Sequence, residues 1–119
     1  MRKIDTLKKN YEFKNVLDKG KFYRGKYITI YILKNKKEKN VIGIAVSKKV
    51  GKAVKRNRIK RLIRESYYSK KNQLEKGYNI VFLWNRNTFV DCKCEQIKED
   101  VYTQLKKAGL IKWKKLELY

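Results

Sequence analysis

The chain has 119 residues, 42% of them hydrophobic, enough for one domain around one core. Its 33 Lys and Arg against 11 Asp and Glu leave a net charge of +22, a balance that predicts a polyanionic partner rather than any particular fold. With no His and only two Cys, the chain lacks the commonest general base and cannot complete a four-cysteine zinc site, which disfavours independent triad or metalloenzyme chemistry.

The polyanion is expected to be nucleic acid. No run approaches the ~20 apolar residues of a membrane span. The opening "MRKIDTLKKN" has no apolar core of a signal peptide, so a cytoplasmic location without a membrane partner is expected. No Pro, low-complexity linker or repeat divides the chain, and residues 1–119 read as a single domain. Cys92 and Cys94, in "DCKC", are too close for a useful disulfide loop and read as ordinary reduced residues.

In chain order, Asn10 is placed to cap a short helix, "YEFKNVLDK", with Phe13, Val16 and Leu17 at helical spacing and a stop at Gly20. "YITIYIL" at 27–33 and "VIGIAVS" at 41–47 are strand-like, and the polar run "KNKKEKN" between them predicts an antiparallel hairpin with a basic loop. Alternation puts Ile28, Ile30, Ile32, Ile42, Ile44 and Val46 on one face, which helices must cover. The other face takes Tyr27, Thr29, Tyr31, Gly43, Ala45 and Ser47, a shallow trough suited to unstacked bases on Tyr rings. The competing use of that face is to seat the first helix through Phe13 and Leu17.

Next comes "VKRNRIKRLIRE" at 54–65, where six of twelve side chains are Lys or Arg. Ile59, Leu62, Ile63 and Ser66 share one side of the predicted helix. Asn57, Arg61 and Arg64 share the opposite side, flanked by Arg58 and Lys60. Guanidinium groups bind phosphate bidentately and stack on bases, so this stripe points to a folded nucleic acid more than to a diffuse anion. "YNIVFLW" at 78–84 reads as a strand buried on both sides. Thr88 and Asp91 are placed to cap a last helix beginning near residue 89, with an inward stripe of Cys94, Ile97, Val101 and Leu105 running until Gly109. Asp91, Glu95, Glu99 and Asp100 make this helix the one acidic patch, expected to face away from the partner. The tail "LIKWKKLELY" is expected to form a short extra element anchored by Trp113.

"VSKKVGKAVKRNRIKRLIRE" closely resembles the signature of the bacterial ribonuclease P protein subunit, whose arginine-rich motif is matched by Arg56, Asn57, Arg58, Lys60, Arg61 and Arg64. "NYEFKNVLDKG" resembles the family's first helix, and the likeness in element order spans roughly residues 5–108. The resemblance implies an α+β fold: a two-layer α/β sandwich of order αβββαβα around a four-stranded sheet, including one short strand not evident from the residues. It also implies a left-handed β-α-β crossover, against the general rule of ~98% right-handed connections.

The function implied is that of the protein subunit of ribonuclease P. Such a subunit binds a catalytic RNA and the 5′ leader of precursor tRNA, and promotes Mg²⁺-dependent endonucleolytic removal of the leader. By the same resemblance the RNA carries the chemistry, no residue of the chain is catalytic or metal-ligating, and Mg²⁺ is held mainly by the RNA and the substrate. No obligate protein partner is implied. The leader-binding cleft carries over to Phe13, Leu17, Tyr31, Ala45, Ser47, Lys48 and Lys49, with Leu17 departing from an aromatic often found at its position. The alternative left by charge and trough alone is a ribosomal or other structural RNA-binding protein. A DNA-binding module fits less well, because the basic helix lacks a helix-turn-helix partner.

Overall fold

The computed structural model describes residues 6–85 and 94–111. α1 (Asn10–Lys19) leads into a short strand, β1 (Lys21–Arg24), and then into β2 (Ile28–Lys34) and β3 (Val41–Ala45). A 3-10 turn (Lys48–Val50) opens the way to α2 (Ala53–Lys70), followed by β4 (Tyr78–Trp84) and α3 (Cys94–Lys107). The order αβββαβα implied by the resemblance is therefore present, and β1 is the strand that periodicity missed. Four residues, "KFYR", are too few to display an alternation.

The sheet order is β1-β2-β4-β3, with β1–β2 and β2–β4 antiparallel and β3–β4 parallel. This corrects the expected hairpin: β2 and β3 run in opposite directions but are not neighbours, because β4 lies between them. The reason is burial. Ile80, Val81 and Phe82 are all buried, so β4 needs a covered surface on both sides, which the centre of the sheet supplies. The 34–40 segment is fastened instead to the entry of β4. The Asn35 N–H donates to Gly77 O (2.9 Å), the Tyr78 N–H donates to Asn40 Oδ1 (3.0 Å), and Asn35 Nδ2 donates to Asn79 Oδ1 (2.9 Å). The parallel pair β3–β4 is joined by a crossover through α2.

Register explains the main core. The cross-sheet rows Tyr23–Ile30–Phe82–Ile44 and Lys21–Ile32–Ile80–Ile42 face α2 and α3. Ile59, Ile63 and Tyr67 of α2 and Ile97, Val101 and Leu105 of α3 close over them. Tyr67 meets Phe82 edge-on, with ring centroids 6.0 Å apart, and each such side chain contributes about 1.5–3 kcal/mol by leaving water. The expected helix-covered face is borne out, with Ile44 and Val46 at its margin only partly buried.

Two expectations shift at the ends of elements. α1 starts one residue early, with Lys9 at the N-cap and the Glu12 carboxylate accepting the Lys9 and Lys8 N–H groups (3.0 and 3.3 Å). The Thr88 and Asp91 cap and the Trp113 anchor lie outside the described residues.

Asp100 is a clearer correction. It is not part of a solvated acidic face, because it is only 8% exposed and its carboxylate accepts the N–H groups of Lys26 (3.1 Å), Tyr27 (2.9 Å) and Ile28 (2.9 Å). A carboxylate sinks into a core only when such donors replace water. Gly25 allows the approach, since a Cβ there would lie 2.5 Å from Asp100 Oδ1. Glu95 and Glu99 remain exposed.

Candidate nucleic-acid interface

The opposite face of the sheet carries the rows Phe22–Tyr31–Val81–Gly43 and Arg24–Thr29–Leu83–Ala45. α1 packs on β2 and β4 at one end of this face, where Val16, its one fully buried side chain, joins Leu7, Val41 and Val81. Phe13 lies directly on Gly43: a Cβ at that position would sit 2.5 Å from the ring. A side chain there would lift the helix, so glycine sets how closely α1 approaches. Sequence allowed this face to be either trough or helix seat, and it is divided between the two.

The uncovered end is a cavity of about 690 Å³, within the ~300–1,000 Å³ usual for ligand clefts. Its floor is Tyr31, Thr29, Leu83 and Ala45, with Ser47 two residues past the end of β3. Arg24 and Lys26 stand on the side of the β1–β2 turn, and among the described residues no lining side chain is acidic. Lys48 and Lys49 follow in the exposed 3-10 turn, where Ser47 Oγ accepts the Lys49 N–H (3.2 Å). The cleft therefore joins one aromatic platform and small side chains to a cationic rim, a combination that takes a nucleotide backbone and its bases.

The rim is fixed from two distant parts of the chain. Asp100 holds the three successive N–H groups described above. Asn85 donates from its backbone N–H to Tyr27 O (2.9 Å) and from Nδ2 to Gly25 O (2.9 Å), while its Oδ1 accepts from Thr29 Oγ1 (2.7 Å). Neither Asn85 nor the Arg24–Lys26 turn was singled out from sequence. The signal was present only as "RGK" before a strand and Asn after one, patterns too common to be informative.

Of the residues assigned to the trough or cleft, Thr29, Tyr31, Ala45 and Ser47 converge on the cavity. Tyr27 does not. It precedes the first residue of β2, is turned by its bond to Asp100, and stacks instead on Trp84 of the main core (centroids 6.2 Å, planes 20° apart). Phe13 serves the α1–Gly43 contact, and Leu17 is 36% exposed on the outside of α1.

The arginine-rich motif divides as well. Asn57, Arg58, Arg61 and Arg64 are exposed, whereas Arg56 and Lys60 are half-buried, and Arg56 Nε is enclosed without a hydrogen-bond partner. Lys60 and Arg64 border a 210 Å³ hollow whose other walls include Phe13 and Gly43, so residues of α2 and α1 line the same hollow beside β3. Among the described residues no group of three or more His, Cys, Asp and Glu could hold a metal ion, and no helix is long and apolar enough to cross a membrane.

Comparison with known proteins gives a consistent result. The family model described as Ribonuclease P matches residues 1–109. A ribonuclease P protein component of Alkaliphilus oremlandii is 43% identical over 111 residues, covering 93% of this chain and 96% of the relative. Among solved structures, the Staphylococcus aureus RNase P protein superposes with a TM-score of 0.82 at 32% identity, over 92% of this chain and 99% of that one. The Thermotoga maritima RNase P protein gives 0.78 at 28% identity, over 89% and 97%.

Proposed function

Because the chain belongs to the ribonuclease P protein family and so forms part of a tRNA-processing ribonucleoprotein endonuclease, we propose that its cleft holds the single-stranded 5′ leader of precursor tRNA while the outward side of α2 binds the catalytic RNA. The observation that carries this reading is the half-covered sheet face: an open cavity of about 690 Å³ floored by Tyr31 and bounded by Arg24 and Lys26, with no acidic lining side chain among the described residues. A folded RNA needs a broad phosphate-binding surface, which Asn57, Arg58, Arg61 and Arg64 present along one exposed helix side, with Arg56 and Lys60 at its margins. A single strand needs stacking and a cationic track, which Tyr31, Arg24, Lys26, Lys48 and Lys49 supply. The rival reading as a ribosomal or other structural RNA-binding protein gives way to the family membership.

In this reading the protein acts by position and charge. The rim fixed by Asp100 and Asn85 keeps the floor ready for the leader, so little ordering remains to be done on binding. The cations of α2 offset repulsion between the two RNAs as they approach. Mg²⁺ held mainly by the RNA subunit and the substrate would supply the metal-activated water, with no residue of this chain required to ligate it. The assembly works in the cytoplasm.

The test is reconstitution. Purified protein alone leaves precursor tRNA intact at every Mg²⁺ concentration, and protein with its RNA subunit releases the leader. Leader removal by rigorously RNA-free protein would overturn the assignment of the chemistry to RNA.

A further inference from the structure

The aromatic surface of the cleft does not end at Tyr31. Phe22, on β1, is the cross-strand partner of Tyr31, and the two rings lie 5.7 Å apart with planes 33° from each other. Phe22 is 63% exposed, an unusual position for a large apolar side chain on an edge strand, where a charged residue is the ordinary protection against strand pairing. It does not line the 690 Å³ cavity but lies immediately beyond it, on the same face as Arg24, two residues along the strand or about 7 Å. Arg24 does line the cavity. An exposed ring and a guanidinium thus alternate along the outer edge of the floor, one able to stack on a base and the other to hold a phosphate.

We propose that Phe22 is a base-stacking residue that carries the leader site outward across β1, so that the strand of RNA crosses from Tyr31 onto Phe22. The proposal rests on the leader reading of the cleft and adds a second platform to it. Leu17, where a second aromatic is implied by the sequence resemblance, offers only a partly exposed aliphatic on α1. Here the second ring comes from β1 instead. The occupant is single-stranded RNA: Arg24, two residues along the same face, is exposed, and Phe22 with Tyr31 forms a surface wider than one ring. A purely protective role, in which Phe22 only shields the edge of Tyr31, predicts that any apolar side chain would do.

The experiment measures affinity of the reconstituted holoenzyme for precursor tRNAs with leaders lengthened one nucleotide at a time, and for mature tRNA. Phe22→Val keeps a β-branched apolar side chain and should bind long-leader precursor about five-fold or more weakly, the loss typical of one base–aromatic stack. Its affinity should stop rising at a shorter leader than in the parent, with mature tRNA unchanged. Phe22→Tyr should restore both. Full affinity and an unchanged length plateau for Phe22→Val, with Tyr31→Ala still selective for precursor, would overturn the role of Phe22 and leave the leader site standing. If Tyr31→Ala is also without selective effect, the leader reading itself fails. Equal losses on precursor and mature tRNA would likewise reject stacking in favour of a structural role.

Discussion

The two faces of the sheet are built from the same four strands yet are finished differently. One is closed by α2 and α3 over Ile28, Ile30, Ile32, Ile80 and Phe82, all nearly inaccessible. Among the described residues the other is closed by ten-residue α1 at one end, leaving Tyr31, Thr29 and Ala45 half-exposed beside Arg24 and Lys26. Stability is concentrated on the first face, which frees the second to keep an unfilled cavity. Substitutions on the two faces should therefore fail in different ways: one through folding, the other through discrimination between RNAs.

The largest effect belongs to the closed face. Phe82→Ala removes a fully buried ring from between α2 and the sheet and should cost about 3–5 kcal/mol in denaturant unfolding of the free protein. Binding to precursor and mature tRNA should weaken together as the folded fraction falls. A loss confined to precursor tRNA would erase the division between the faces.

At the boundary, Gly43→Ala drives a methyl into the Phe13 ring and should cost about 1–3 kcal/mol as α1 shifts off β3. Its signature is mixed: a moderate fall in melting temperature together with weaker leader binding. Unchanged stability would mean that α1 does not depend on this contact.

Smaller in energy, though distinct in kind, is the response of α2. Arg61→Ala with Arg64→Ala leaves exposed positions without side-chain charge and should not alter unfolding. If both contact phosphate, the slope of log affinity against log salt for the RNA subunit should become shallower by about 0.7–0.9 for each. An unaltered slope and affinity would make this face merely solvated.

How much of this was legible depended on whether a feature is local. The strands at 27–33, 41–47 and 78–84 and the apolar side of α2 could be read because β-branched runs and helical spacing are local properties. Pairing was not legible, since a seven-residue polar segment equally suits a hairpin or a partner inserted between its flanking strands. β4 was recognisable as doubly buried, and that property makes it the strand separating β2 from β3. Asp100 looked like one more surface acid, because the three N–H groups that hold it belong to residues more than seventy positions away. In the cleft, Tyr31, Ala45 and Ser47 followed from alternation. Tyr27 broke it, because alternation does not extend past the strand's first residue, and Phe22 was hidden in a strand too short to be seen.

The central claim is that the open face discriminates RNA while the closed face holds the fold, and Tyr31 is the residue on which it turns. Tyr31→Ala should be assembled with the RNA subunit and its affinity measured for precursor and mature tRNA side by side, with thermal unfolding of the free variant as control and Tyr31→Phe retaining the ring. The account predicts a loss of about 1–3 kcal/mol for precursor tRNA, little change for mature tRNA, and recovery with Phe. Equal losses on both substrates, or a collapse in stability without any selective loss, would contradict it.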